Sequence, residues 1–350
     1  MLKRTGCFVL SLLLLAVGLA GCASFSAVSP HKTVWLDLFD TVSSLTVYGV
    51  DKADFEAGAK ALHTRLTEYH QLFDIYHSYA GVNNLKTVND NAGQPVAVPS
   101  EVLDLLEYGV SAYRRTGGRV NILFGAVLEL WHDCRVTALE TPVAALPEPA
   151  ALQTAATHTD PAALVIDREA GTACLTDPLA RLDVGAVAKG YAAELAATYI
   201  REELGWTSAL LDMGGNVRAI GGKPTIGGQT PFTIGVQNPN TDSANAYLLT
   251  VGLQDMAAVT SGDYQRFFMV DGRQYAHIID PDTLYPAAFV RAVTVVCPDS
   301  GLADVLSTAL FTLPVEQGLA LLRQFPEAQA VWVLTDGTLQ YSDGFNAYKK

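Results

Sequence analysis

Apolar and polar positions alternate through TVWLDLFDTVSSLTVYGV, residues 33–50, and that two-residue period predicts β-strand. The next stretch, DFEAGAKALHTRLTEYHQLFD, spaces its apolar residues three and four apart, as a helix with one buried face requires. SEVLDLLEYGVSAYRRTGG predicts a second helix, with Ser100 as its cap and the pair Gly117-Gly118 as its stop. Beyond it short strand patterns dominate: ALVIDREAGTACLT, SALLDM, NVRAIGG, FTIGVQNP, YLLTVGL, AAVTSG, QRFFMV, RQYAHIID and AVTVVC. Three further helices start near Ala188, Leu302 and Val315. Asp271-Gly272 between two strands is a two-residue hairpin turn. The mixture predicts an α+β fold with largely antiparallel sheets and packed helices.

Two strand-to-helix junctions carry candidate chemistry. In RLDVGAVAKGYAAELAATYIREELG, Ala192, Leu195, Ala196 and Tyr199 form the expected core face, which puts Lys189 and Gly190 in the first helical turn. Free N–H groups there favour an anion such as phosphate, whereas a solvated lysine beside a tight turn fits the same letters. In VTVVCPDSGLADVLSTALFTL, Asp304 and Thr308 lie four apart on one helical face. A carboxylate with a hydroxyl suits a hard cation such as Mg2+, and an aspartate early in a helix also serves as a plain dipole partner. The paired glycines of SALLDMGGNVRAIGGKP allow close backbone approach but open no helix, so they are not a dinucleotide fingerprint. On the strand RQYAHIID, His277 shares a face with Tyr275 and Ile279, where a histidine is either structural or a base.

Composition narrows the partner. The net charge of −13 and the lack of basic runs interleaved with aromatics exclude nucleic acid. Lys3 and Arg4 precede an apolar run from Phe8 to Ala20, and Leu19, Ala20, Gly21 and Cys22 match a lipobox. The expected organisation is a signal peptide over 1–21, a lipidated Cys22 with a tether to Lys32, and one catalytic domain over 33–350. That domain has two close subdomains, joined by an Ala- and Pro-rich linker with a short helix near 138–163. Of five cysteines only Cys134, Cys174 and Cys297 then remain, far apart, so neither a disulfide framework nor a thiolate metal site is expected.

LDVGAVAKGY, LLDMGGNVRAIGG, TSGDYQRFF with YAHIIDP, and LADVLSTAL occur in an order and spacing that resemble the flavin transferase (ApbE) family. The resemblance runs from about Trp35 to near the C-terminus. It implies a T-fold-like architecture and Mg2+-dependent transfer of FMN from FAD to a threonine or serine hydroxyl of a target flavoprotein, with release of AMP. It places the metal on the carbonyl of Ala186 and the side chains of Asp304 and Thr308. It makes His277 the base, and sets Phe39, Asn121, Lys189, Thr260, Ser261, Gly262 and Asp263 against the nucleotide. Phe39 and Asp40 stand where many members have methionine and glycine, Asn121 replaces an aspartate, and Ala186 and Leu284 each replace a glycine. With the lipobox, the implied setting is an enzyme anchored to the bacterial membrane outside the cytoplasm, acting on an exported or membrane flavoprotein. The same groups fit two alternatives, Mg2+-dependent hydrolysis of FAD to FMN and AMP, and a lipoprotein that only binds flavin.

Overall fold

The computed structural model describes residues 29–141 and 144–350. Its centre is an eight-stranded sheet, β1 His31–Leu38, β2 Thr41–Val47, β3 Ala209–Met213, β4 Asn216–Ile220, β5 Ala257–Gly262, β6 Val290–Cys297, β7 Gln329–Leu334 and β8 Leu339–Tyr341. These strands lie side by side in chain order and every neighbouring pair is antiparallel. The helices are insertions between strands: α1 Lys52–Phe73, α2 Leu85–Asp90, α3 Ser100–Arg115, α4 Gly125–Glu140, α5 Pro149–Ala156 and α6 Ala188–Glu202 all fall between β2 and β3. α7 Ser300–Phe311 and α8 Val315–Leu322 follow β6.

One face of the sheet packs on helices. Leu45, Leu211, Val259, Val293 and Val295 meet Leu62 and Leu66 of α1, Ala193 and Ala197 of α6, and Leu306 and Leu310 of α7 in one buried core. The other face is covered by a hairpin, Phe232–Gln237 with Tyr247–Leu253, whose Phe232, Val236 and Val251 pack on Val217, Ala258, Val296 and Val331. Buried on both faces, β6 has no polar alternation, and its AVTVVC run is apolar almost throughout. In α6 the expected Ala192 and Ala196 are buried, while Leu195 and Tyr199 sit at the edge of the core because Ala193, Ala197 and Ile200 carry the rest of the contact.

Several expectations shift. β1 begins at His31, so the tether gives up its last two residues to the sheet, and residues 33–50 form two strands turned at Phe39-Asp40. Pro99 precedes the first turn of α3, and the Ser100 hydroxyl donates to Glu101 instead of capping. The Asp271-Gly272 hairpin is as expected, with both residues at positive φ, but its second strand ends at Ala276 and leaves His277 beyond the ladder. Among the described residues no helix is long and apolar enough to cross a membrane. Cys22 and the signal segment lie outside the described residues.

Candidate active site

A cavity of about 550 Å3 opens where the β1–β2 turn, the end of α1, the start of α6, the end of β5 and α7 converge. It gathers Phe39, Asn121, Ala186, Lys189, Thr260, Ser261, Gly262, His277, Asp304 and Thr308 from segments far apart in sequence. Asp263 does not join them. Arg291 takes its carboxylate in a forked contact, Nε at 3.0 Å and Nη2 at 3.3 Å, so the residue fastens the end of β5 to β6. Asn121 lines the wall with its side chain already used, its Oδ1 accepting from the Leu123 amide and its Nδ2 donating to the Thr159 carbonyl.

Asp304 is buried on α7 and faces the first turn of α6, where the Gly190 N–H donates to its Oδ2 at 2.8 Å. Only glycine fits there, since a Cβ on residue 190 would stand 2.4 Å from Asp304 Cβ and 2.6 Å from the Ser300 carbonyl oxygen. The anion that the α6 N-terminus attracts is therefore, in the first instance, the protein's own carboxylate. The two helices are locked by Glu194 of α6, which accepts from Arg218 Nε and from the Ser300 amide at the start of α7, both at 2.8 Å.

Burial pushes the Asp304 carboxyl above the usual range, and the Lys189 ammonium and Gly190 amide only partly oppose it. A buried carboxylate with one donor has spare lone pairs and favours a cation nearby. Thr308 Oγ1, one turn along α7 from Asp304, lies 3.4 Å from Ser261 Oγ, which also meets Ser307 Oγ at 2.8 Å, so hydroxyl oxygens gather on the same wall of the cavity as Asp304. No group of three or more His, Cys, Asp or Glu side chains converges among the described residues. One carboxylate with hydroxyl oxygens on the same wall suits a hard cation such as Mg2+, which takes few protein carboxylates and keeps water and phosphate in its remaining positions.

Across the cavity the carbonyl of Arg266 accepts from the His277 amide and lies 3.1 Å from His277 Nδ1. A carbonyl can only accept, so Nδ1 carries the proton and Nε2 is left with a free lone pair. The surrounding walls, together with the charges of Arg266, Arg135 and Lys189, push the imidazole down to about 4. At neutral pH it is therefore an uncharged acceptor. Leu284, at φ 62°, closes the loop behind it, its amide donating to the Asp280 carbonyl and its own carbonyl accepting from Trp131 Nε1.

The cavity also holds residues that pattern reading did not single out. Asp183 faces it with an Oδ1 that accepts from the Gly185 amide at 2.8 Å, and burial raises its carboxyl against the charges of His132 and Arg266. Arg135, Arg266 and the stacked pair Tyr76 and His132, ring centroids 4.9 Å apart, add cationic and flat aromatic surface. An aspartate before Val-Gly reads as a turn former, and nothing local tells which wall it faces.

The model of the ApbE family matches residues 39–332, a span that includes every wall of this cavity. The chain belongs to the ApbE family. Among its ApbE relatives, the FAD:protein FMN transferase of Treponema pallidum is 31% identical over 345 residues, 93% of this chain and 91% of the relative. That of Klebsiella pneumoniae is 31% identical over 269 residues, 75% of this chain and 80% of the relative. The crystal structure of the ApbE protein from Thermotoga maritima superposes with a TM-score of 0.79 at 27% identity, covering 92% of this chain and all of that one. The flavinyl transferase ApbE of Pseudomonas stutzeri, in its apo form, gives 0.74 at 25% identity over 91% of this chain and 96% of that one.

Proposed function

We propose that this chain is an FAD:protein FMN transferase that uses Mg2+ to move FMN from FAD onto a threonine or serine hydroxyl of a partner flavoprotein, releasing AMP. The observation that carries the reading is the pairing, in one cavity, of a neutral His277 with a free Nε2 and a buried Asp304 whose carboxylate has the Gly190 amide as its one donor.

An alcohol is a weak nucleophile until its proton has somewhere to go. His277 Nε2 takes that proton as the acceptor oxygen bonds to the phosphorus on the FMN side. The bond from that phosphorus to the bridging oxygen breaks, and AMP leaves with the oxygen. Lys189 holds the diphosphate by charge at the start of α6, and the Arg266 carbonyl keeps His277 in the right tautomer throughout. Asp304, Thr308 and the Ala186 carbonyl would hold Mg2+, and the ion would supply neutralisation of the diphosphate charge. Phe39, Thr260, Ser261 and Gly262 line the space for the flavin half.

The lipobox motif ending at Cys22 supports a membrane-anchored enzyme working outside the cytoplasm on an exported or membrane flavoprotein. Incubation of the purified protein with FAD, Mg2+ and a threonine-bearing acceptor flavoprotein tests the reading: the acceptor gains the mass of one FMN. Free FMN with an unmodified acceptor would make the enzyme an FAD hydrolase, and intact bound FAD would make it a carrier.

A further inference from the structure

The turn between β1 and β2 sits in the cavity wall in a conformation its residues do not favour. Phe39 and Asp40 have φ of 51° and 50°, the left-handed region in which two consecutive residues with side chains are disfavoured and glycine is at ease. Something outside the hairpin must hold it.

Two braces do so. On one side the Phe39 amide donates to His70 Nδ1 at 3.2 Å. The far nitrogen of that ring, Nε2, is 3.3 Å from the Tyr79 hydroxyl, which donates to Asp74 Oδ2 at 2.8 Å. The proton order along this relay is fixed at both ends, because an amide can only donate and a carboxylate can only accept. His70 is therefore in its Nε2–H form, accepting from Phe39 and donating to Tyr79. Asp74 is itself pinned at the end of α1 by the Tyr76 and His77 amides, at 2.6 and 3.1 Å. On the other side the Asp40 carbonyl accepts from Arg266 Nη2 at 3.2 Å, and Arg266 is the residue whose own carbonyl orients His277. The His70 ring meets Phe39 edge-on, with centroids 5.6 Å apart, so it supports the side chain as well as the backbone.

We propose that His70 is a positioning residue for FAD: through the Phe39 amide it holds the Phe39-Asp40 turn in the shape that receives the dinucleotide. The proposal rests on the flavin-transfer reading for the identity of the ligand. The turn lies on the cavity wall and is given no contact with the reacting phosphorus in the mechanism above. Its contribution is then the same in the bound and transition states, and it sets affinity, not turnover.

The test compares wild type, His70→Ala, His70→Gln, Asp40→Gly and the Asp40→Gly/His70→Ala pair in FAD binding, followed by quenching of flavin fluorescence, and in steady-state transfer. Circular dichroism and melting confirm that each variant is folded. His70→Ala is expected to weaken FAD binding and raise its KM by roughly tenfold, with kcat at saturating FAD within about twofold of wild type. Gln carries an acceptor and a donor that can replace both imidazole contacts, so His70→Gln restores affinity. Glycine at position 40 relieves the turn, so the double variant binds FAD better than His70→Ala alone. A loss in kcat with KM unchanged, or a glutamine variant as weak as the alanine one, overturns the proposal. If the binding pattern holds while wild type makes no flavinylated acceptor, the positioning role stands and the transferase reading falls. If wild type does not bind FAD, both fall.

Discussion

The Gly190 amide and the Asp304 carboxylate, 2.8 Å apart, tie the first turn of α6 to α7 at the floor of the cavity. The contact exists because residue 190 has no Cβ, so a backbone donor at a helix start can reach a buried acid on the neighbouring helix. Gly190→Ala is expected to force the helices apart, lowering stability by roughly 1–3 kcal/mol as overpacking does. It should also abolish any Mg2+-dependent rise in melting temperature. Calorimetric melting with and without Mg2+ measures both.

Asp304 has the opposite relation to stability. Its carboxyl is raised by burial, so the metal-free fold binds its proton more tightly than the unfolded chain does. Stability contributed by the protonated form is present at acid pH and is lost as pH rises through the folded-state value. Asp304→Asn therefore stabilises the metal-free protein at neutral pH, removes the stabilisation that Mg2+ gives wild type, and lowers kcat/KM by roughly 10²-fold or more. Melting curves with and without Mg2+, set beside single-turnover rates, check the three effects together.

The enclosing cavity walls and the charges of Arg266 and Arg135 push the His277 imidazole down to about 4, although its side chain stays open to the cavity space. At saturating Mg2+, kcat/KM should stay level well below pH 6.5 and bend only as pH approaches 4. Arg266→Gln keeps the backbone carbonyl but removes a positive charge, and moves the bend upward. The same depression means that the unfolded chain binds more protons between about 4 and 6.5, so stability from this group falls as pH falls through that window. His277→Gln should lower kcat by roughly 10²–10⁴-fold at pH 7. A pH–rate series on the three proteins measures these effects.

Glu194 is the clamp behind the site. It accepts from Arg218, whose side chain is only 4% exposed, and from the Ser300 amide. Glu194→Gln leaves the guanidinium without its counter-charge and is expected to cost roughly 3 kcal/mol, the low end for a broken buried pair because Glu194 itself keeps some solvent. Chemical denaturation checks the loss. The FAD Kd of the folded fraction should change little, because Glu194 does not line the cavity.

The helices α1, α6 and α7 at the site were legible because apolar spacing and flanking glycines mark them locally, whereas α4, whose Leu128, Trp131, His132 and Arg135 line the cavity, was not. Strand partners were not legible: alternation identifies β-structure without saying that all eight strands follow chain order. The C-terminal strands β7 and β8 were missed altogether. RQYAHIID reads as one strand, and the His277 amide still bonds its register partner Arg266, but the strand goes no further because the Asp280 amide bonds back to the Tyr285 carbonyl. Most of the candidate residues do meet in one cavity. Asp263 does not, because Arg291 on the next strand of the sheet takes its carboxylate, and Asp183 went unread because its facing is decided by tertiary packing. Leu284 marks a place where positive φ is imposed by its surroundings, a need visible in sequence only when glycine fills it.

The central claim is that the Asp304 side of the cavity and His277 act together to move FMN onto a protein hydroxyl. Intact-mass spectrometry of an acceptor flavoprotein incubated with this protein, FAD and Mg2+ tests it most directly. The account predicts an acceptor heavier by one FMN, equimolar AMP, and neither product with Asp304→Asn. An unmodified acceptor beside an active wild-type protein that releases free FMN, or full transfer by Asp304→Asn, would contradict it.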